Sequence, residues 1–240
     1  MNTTFQGAIF DFDGVIVDSH PVHKRAWRKF LRSTGKVASE EELQFVLDGR
    51  RRDDILRHFL GELDDEEIAE YGHRKEQFFR NEAANVRTIR GLRSFLTSLE
   101  AANLALGIAS SGSRGRVDFL LDQLKLKKHF GVVVTGDEVS EGKPHPAVFL
   151  KAAQGLRKDP CALIAFEDAV SGVQAARSAG MTCIGIAQRE CASVLLDAGA
   201  HHVVPDFRFL SYAKLRDMFG SALRPAVFSL SNSVARQIPD

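Results

Sequence analysis

The chain is poor in cysteine: its 240 residues hold three, Cys161, Cys183 and Cys191. The number is odd and the spacing fits neither a zinc site nor a CxxC redox pair, which excludes a disulfide framework as the source of the fold. Cys161 and Cys183 fall in apolar, strand-like stretches and are expected to be buried thiols. Charge of one sign is lacking too. The net charge is +1, so there is no general pull toward nucleic acid or a membrane surface. No run of about 18 apolar residues could span a bilayer. The N-terminal MNTTFQGAIFDF lacks the basic start and long apolar run of a signal peptide. A soluble, cytoplasmic protein is expected. Nothing in the sequence specifies an oligomeric state, and a monomer is compatible with it.

What is present is a core. Hydrophobic residues make up 44% of the chain, enough for one large domain or one domain with an insertion. Short apolar runs, Ala8–Phe12, Leu104–Ala109, Val132–Thr135, Ala162–Phe166, Thr182–Ile186 and His202–Val204, read as strands. Helical patterns over Arg114–Leu124, Pro146–Gly155, Val170–Ala179 and Ala192–Ala198 lie between them. Continuous apolar strands alternating with helices predict an α/β fold, a Rossmann-like doubly wound parallel sheet covered on both faces. From His20 to about Asn85 the alternation stops. Trp27, Phe30 and Leu31, then Ile55, Leu56, Phe59 and Leu60, then Phe78 and Phe79 have helical spacing. The expected organisation is therefore a discontinuous core, residues 1–19 and 86–219, an all-helical insertion at 20–85, and a Ser-rich C-terminal extension at 220–240.

Ligands of an open parallel sheet bind beyond the carboxyl ends of its strands. Asp11 and Asp13 stand at that end of the first strand, Ser110 after LALGIAS, and Glu167 and Asp168 after ALIAF, while Lys143 lies in the loop EGKPHP. Two unit charges about 4 Å apart repel by roughly 4 kcal/mol at an effective dielectric near 20, so clustered carboxylates need a proton or a cation. Oxygen donors without His or Cys favour a hard ion, Mg²⁺. With the Lys143 ammonium and the Ser110 hydroxyl added, the set suits a phosphoryl group. Each residue taken singly has a plainer reading, and Asp18 is as well suited to capping the next helix. GDEVSEGKP fails as a P-loop, since its glycines are one residue too far apart and Pro144 stands where Ser or Thr should hold a metal.

These residues resemble a known family. Asp11-Phe12-Asp13-Gly14-Val15, Ser110, Lys143 in GKPHP and Glu167-Asp168 in FEDAVSGVQAARSAGM are similar to the four motifs of the haloacid dehalogenase superfamily, in the subgroup whose helical cap follows the first strand. The resemblance covers about residues 7 to 215. It implies that Asp11 is a nucleophile forming an aspartyl-phosphate and that Asp13 is the acid and base. It implies Mg²⁺ on Asp11, the Asp13 main-chain carbonyl and Asp168, with Glu167 bound directly or through water. Ser110 and Lys143 would hold the phosphoryl oxygens, and an acid at position 13 implies phosphate chemistry, because the dehalogenase branch lacks it.

Within the superfamily the chain is similar to the β-phosphoglucomutase and small sugar-phosphate phosphatase branches. The resemblance implies that His23, Arg52, Lys75 and Ser111 meet the substrate, with Arg114 supplying charge where the distal-phosphate loop has diverged to Gly112-Ser113. The expectation is a Mg²⁺-dependent phosphohydrolase of a small phosphorylated metabolite, which needs fewer matched parts. The alternatives are a mutase transferring phosphate through a bisphosphate and a catalytically silent binding protein.

Overall fold

The computed structural model describes residues 5–222; the extension expected at 220–240 lies outside them from residue 223 on. Six strands, β1 (Gly7–Phe10), β2 (Ala105–Ala109), β3 (Val132–Val134), β4 (Leu163–Glu167), β5 (Thr182–Ile186) and β6 (His202–Val204), form one sheet. Their order is β3-β2-β1-β4-β5-β6, and every pairing is parallel. This is the Rossmann-like α/β architecture.

Strand β1 shows why such runs form strands. All four of its residues are buried, and their side chains alternate between the two faces: Ala8 and Phe10 join one apolar cluster and Ile9 the other. Phe10 stacks on Phe166 with ring centroids 4.7 Å apart. Truncating so enclosed a phenylalanine costs about 3–5 kcal/mol, so Phe10→Ala alone would loosen the strand that carries Asp11.

Four helices follow β1: α1 (His20–Ser33), α2 (Glu40–Phe45), α3 (Arg52–Leu60) and α4 (Asp65–Glu82). They enclose a cluster of their own around Trp27, Phe30, Leu43 and Leu56. The short α2 is announced by its capping box, Ser39 with Glu42, rather than by apolar period. The chain leaves and re-enters the sheet side by side. Asp18 N donates to Arg87 O at 2.8 Å and Ile89 N to Ile16 O at 3.0 Å.

The remaining helices are α5 (Leu92–Ala101), α6 (Arg114–Gln123), α7 (Ala147–Leu156), α8 (Val170–Ser178), α9 (Ala192–Asp197) and α10 (Tyr212–Ala222). Helices α6 to α9 occupy the four spans expected from periodicity; α5 and α10 are additional. Cys183 is buried, but Cys161 is exposed, contrary to expectation. It lies in the turn Pro160–Ala162, where Asp159 accepts from its N–H at 2.9 Å. The sheet begins only at Leu163, so the apolar look of that stretch overstates the strand. Among the described residues no helix is long and apolar enough to cross a membrane.

Candidate active site

The strand order places β1 between β2 and β4, so the loops beyond these three strands meet at one point of the carboxyl edge. Asp11 N donates to Phe166 O at 2.9 Å and Ser110 N to Val134 O at 3.0 Å, which anchors both residues to neighbouring strands. Lys143, in the loop before α7, puts Nζ 2.5 Å from Asp11 Oδ1 and 2.5 Å from Glu167 Oε1. Glu167 Oε2 accepts from the N–H groups of Asp168 at 2.9 Å and Ala169 at 3.1 Å. Ser110 is buried and its Oγ accepts from Gly112 N at 3.0 Å.

The electrostatics reflect crowding. Burial pushes the Asp11 carboxyl well above its usual range, Lys143 opposes, and Glu167, Asp168 and Asp13 push it further. Burial also lowers Lys143, but Asp11 and Glu167 outweigh that and hold it firmly protonated. Carboxylate oxygens of Asp11, Glu167 and Asp168 all lie within 4.8 Å of one another. One ammonium among three acids leaves an excess of negative charge, and an all-oxygen donor set with that excess fits a hard divalent cation. The backbone makes room here. Gly14 has φ +79°, and a Cβ on it would stand 1.9 Å from Asp168 Oδ2, so the turn after Asp13 admits only glycine. His20 Nε2 lies 3.1 Å from Asp168 Oδ2. Burial pulls His20 down, yet Asp168, with Asp13 and Asp11 behind it, carries it up to about 9.

Asp13 turns its carboxylate elsewhere. Ser19 Oγ donates to Oδ1 at 2.6 Å, His23 Nε2 is 3.1 Å from the same oxygen, and Arg116 Nη1 is 2.7 Å from both oxygens. Burial raises Asp13, but Arg116 and His23 outweigh it and hold the carboxyl well below the usual range. Ser19, at the start of α1, makes no cap bond with its side chain, which turns to Asp13 instead. Asp18 is exposed. Lys75 Nζ lies 3.4 Å from His23 Nδ1. Burial, with Arg116 nearby and Glu76 in opposition, lowers Lys75 to about 8. Burial, Lys75 and Arg116 together lower His23 to about 3.

A chamber between the sheet edge and helices α1, α3 and α4 is lined by Asp11, Asp13 and Asp168 and, of the expected substrate residues, by His23, Arg52, Lys75 and Ser111. Arg114 is not brought there. Its guanidinium donates to Val133 O at 2.7 Å and pairs with Glu138, and it is not among the residues lining the chamber. Arg116 occupies the chamber wall instead.

Residues 8–186 match the haloacid dehalogenase-like hydrolase family. The chain belongs to this family. It is 31% identical over 223 residues to the phosphorylated carbohydrates phosphatase of Thermotoga maritima, covering 87% of this chain and 98% of that protein. It is 33% identical over 183 residues to hexitol phosphatase A of Escherichia coli, covering 75% and 82%. The solved structure of a β-phosphoglucomutase from Clostridium difficile matches with a TM-score of 0.79 at 25% identity, covering 91% and 98%. In this haloacid dehalogenase-like hydrolase the polar side chains Ser19, His20, Glu76 and Arg116, in or beside the chamber, were absent from the sequence expectation. For Arg116 a signal existed. It lies four positions before the core residue Leu120, on the buried face of α6, whereas Arg114 lies four before Asp118 and within 3.9 Å of it.

Proposed function

We propose that the protein is a Mg²⁺-dependent phosphatase of small phosphorylated carbohydrates working through an aspartyl-phosphate on Asp11. The observation that carries this reading is Asp11 itself, a buried carboxylate whose Oδ1 lies 2.5 Å from the Lys143 ammonium, beside Glu167 and Asp168 and two residues before Asp13. Its relatives named as phosphatases of phosphorylated carbohydrates and hexitols support the substrate class.

With Lys143 on Oδ1, Asp11 Oδ2 is the oxygen left to attack phosphorus. The new O–P bond forms as the bond to the leaving oxygen breaks; Asp13, ionised while Arg116 and His23 hold it, takes up a proton from solvent as substrate enters and passes it to that oxygen. Water then attacks the aspartyl-phosphate and gives its proton to Asp13. The Asp11 O–P bond breaks, and inorganic phosphate leaves. Lys143 and Ser110 offset the charge on the phosphoryl oxygens through both steps. Asp11, Asp168 and the Asp13 carbonyl would hold Mg²⁺, which when bound would share that charge. Glu167, with both oxygens engaged, suits holding Lys143 better than meeting an ion directly. Helices α1 to α4, residues 20–85, serve as a cap that excludes bulk water.

A second reading, phosphate transfer within a sugar through a bisphosphate, is favoured by the His23–Asp13 contact at 3.1 Å and by the structural likeness to a β-phosphoglucomutase. One experiment separates them. The protein is incubated with Mg²⁺ and a panel of sugar and polyol monophosphates, with p-nitrophenyl phosphate alongside. A separate arm receives β-glucose 1-phosphate with a trace of the 1,6-bisphosphate. Free phosphate supports the phosphatase. Glucose 6-phosphate without free phosphate overturns it in favour of the mutase, and no turnover in any arm overturns both.

A further inference from the structure

Arg116 touches the proposed proton carrier, Asp13. Its side chain is 5% exposed, and Nη1 is 2.7 Å from each oxygen of Asp13. Ser19 and His23 share Oδ1. Both Asp13 oxygens are thus engaged by protein groups, Oδ1 by Ser19, His23 and Arg116 and Oδ2 by Arg116 alone. Ser19 and His23 are short side chains fixed by α1 and its first turn. Arg116 is long, and a second acceptor stands within its reach. Glu76 Oε1 lies 3.8 Å from Arg116 Nε. Among the described residues neither Arg116 Nε nor Glu76 Oε2 has a hydrogen-bond partner, although both atoms are buried. A buried donor and a buried acceptor of opposite charge, each unsatisfied, are costly to leave apart. Rotation of the guanidinium toward Glu76 would satisfy both.

There is space for it. Arg116 and Glu76 line both the chamber over Asp11 and an outer cleft between α4 and α6. Gly112 makes room for the guanidinium in its present berth, since a Cβ there would stand 2.0 Å from Arg116 Nη2. We propose that Arg116 is a positioning residue with two berths. It rests on Asp13 while the chamber holds no substrate, and it moves to Glu76 when a substrate's leaving group enters, so that an Asp13 oxygen is handed to the leaving oxygen. The inference rests on the phosphatase reading and on Asp13 as the proton carrier.

Phenyl phosphate and p-nitrophenyl phosphate test it, being alike in shape while phenolate is the more basic leaving group and depends more on an incoming proton. kcat with Mg²⁺ is measured for both in the wild type, Glu76→Gln, Arg116→Met and the double variant. Glu76→Gln removes the charge of the second berth. It is expected to lower kcat for phenyl phosphate about tenfold more than for p-nitrophenyl phosphate, a fraction of the usual contribution of general acid catalysis. In the Arg116→Met background the same substitution should have no such selective effect, because there is no arm left to receive. Equal losses on both substrates, or an undiminished selective loss without Arg116, would overturn the inference while leaving the phosphatase reading intact. A wild type that releases phosphate from neither compound overturns both. If thermal melting shows that Arg116→Met does not fold, Arg116→Gln takes its place in the cycle.

Discussion

Lys143 Nζ lies 2.5 Å from Glu167 Oε1, and both side chains are almost wholly enclosed. Glu167 is held in turn by two backbone N–H groups, so the ammonium beside Asp11 is aimed by a rigid carboxylate. Glu167→Gln keeps the shape and removes the charge. Turnover of p-nitrophenyl phosphate should fall about tenfold. Lys143→Ala, which deletes the donor itself, should cost about 10²–10³ in kcat. Steady-state kinetics of the two variants checks the order; a Glu167→Gln loss as large as that of Lys143→Ala would make Glu167 more than a support.

Asp11→Asn should abolish turnover and yet melt higher than the wild type in EDTA at neutral pH. Burial and neighbouring acids raise the Asp11 carboxyl in the fold. A raised acid has no effect below its unfolded value, destabilises increasingly as pH climbs from there to its folded value, and does so fully above it. The gap in melting temperature should therefore narrow as pH falls toward the ordinary carboxylate range. Adding Mg²⁺ should raise the wild-type midpoint, by about 2.7 kcal/mol of stability at a hundredfold excess over Kd, and raise the variant's far less. Calorimetry with and without the ion reads both.

Lys75 gives a pH signature of the opposite sign. Its folded value, lowered to about 8 from 10.5, means that the buried ammonium destabilises the fold below pH 8. That penalty lifts as pH rises from 8 to 10.5. Relative to Lys75→Met, the wild type should gain stability across this window, by on the order of 3 kcal/mol at most. Urea unfolding of both proteins at pH 7.5 and pH 10.5, chosen to bracket roughly that window, measures the difference. A constant difference would mean that Lys75 is not buried as described.

Gly14→Ala should fail at the site before it fails at the fold. The position has φ +79°, and the added carbon would stand 1.9 Å from Asp168 Oδ2. Backbone strain of about 1–3 kcal/mol would be relieved by moving Asp168. Mg²⁺ binding, followed by calorimetric titration, should weaken at least about tenfold, with the sheet's circular dichroism retained.

Arg114→Ala should leave turnover of all substrates close to wild type, since its guanidinium serves Val133 O and Glu138. Its partly exposed ion pair contributes about 0–1 kcal/mol, and a thermal melt should shift by no more than that. A large rise in KM would return Arg114 to the substrate.

The parallel strands were legible because a strand buried on both faces has to be apolar throughout, and Gly7–Phe10 or Leu163–Phe166 can hardly be read otherwise. The acids that follow them were legible for the same reason, as polar groups at the ends of apolar runs. Asp11, Ser110, Lys143 and Glu167 needed only chain order and the rule that parallel strands present their carboxyl ends to one edge. Cys161 was misread because apolar composition does not mark where hydrogen bonding to the next strand begins. Arg114 was named because it stands next to Gly112-Ser113 in the chain, and Arg116 was missed because linear order says nothing of helical phase, which turns residues two apart to different sides of α6.

The order and type of elements, the acids at the sheet's edge and the kind of ion they suit were set by local chemistry: apolar period, charge and the oxygen donors clustered at the strand ends. Which oxygen each donor takes was settled only in three dimensions. Asp13 meets Arg116 across 103 positions of chain, and Lys143 meets Asp11 across 132. Such contacts depend on where packed helices and strands bring side chains of several rotatable bonds, and no local pattern encodes that.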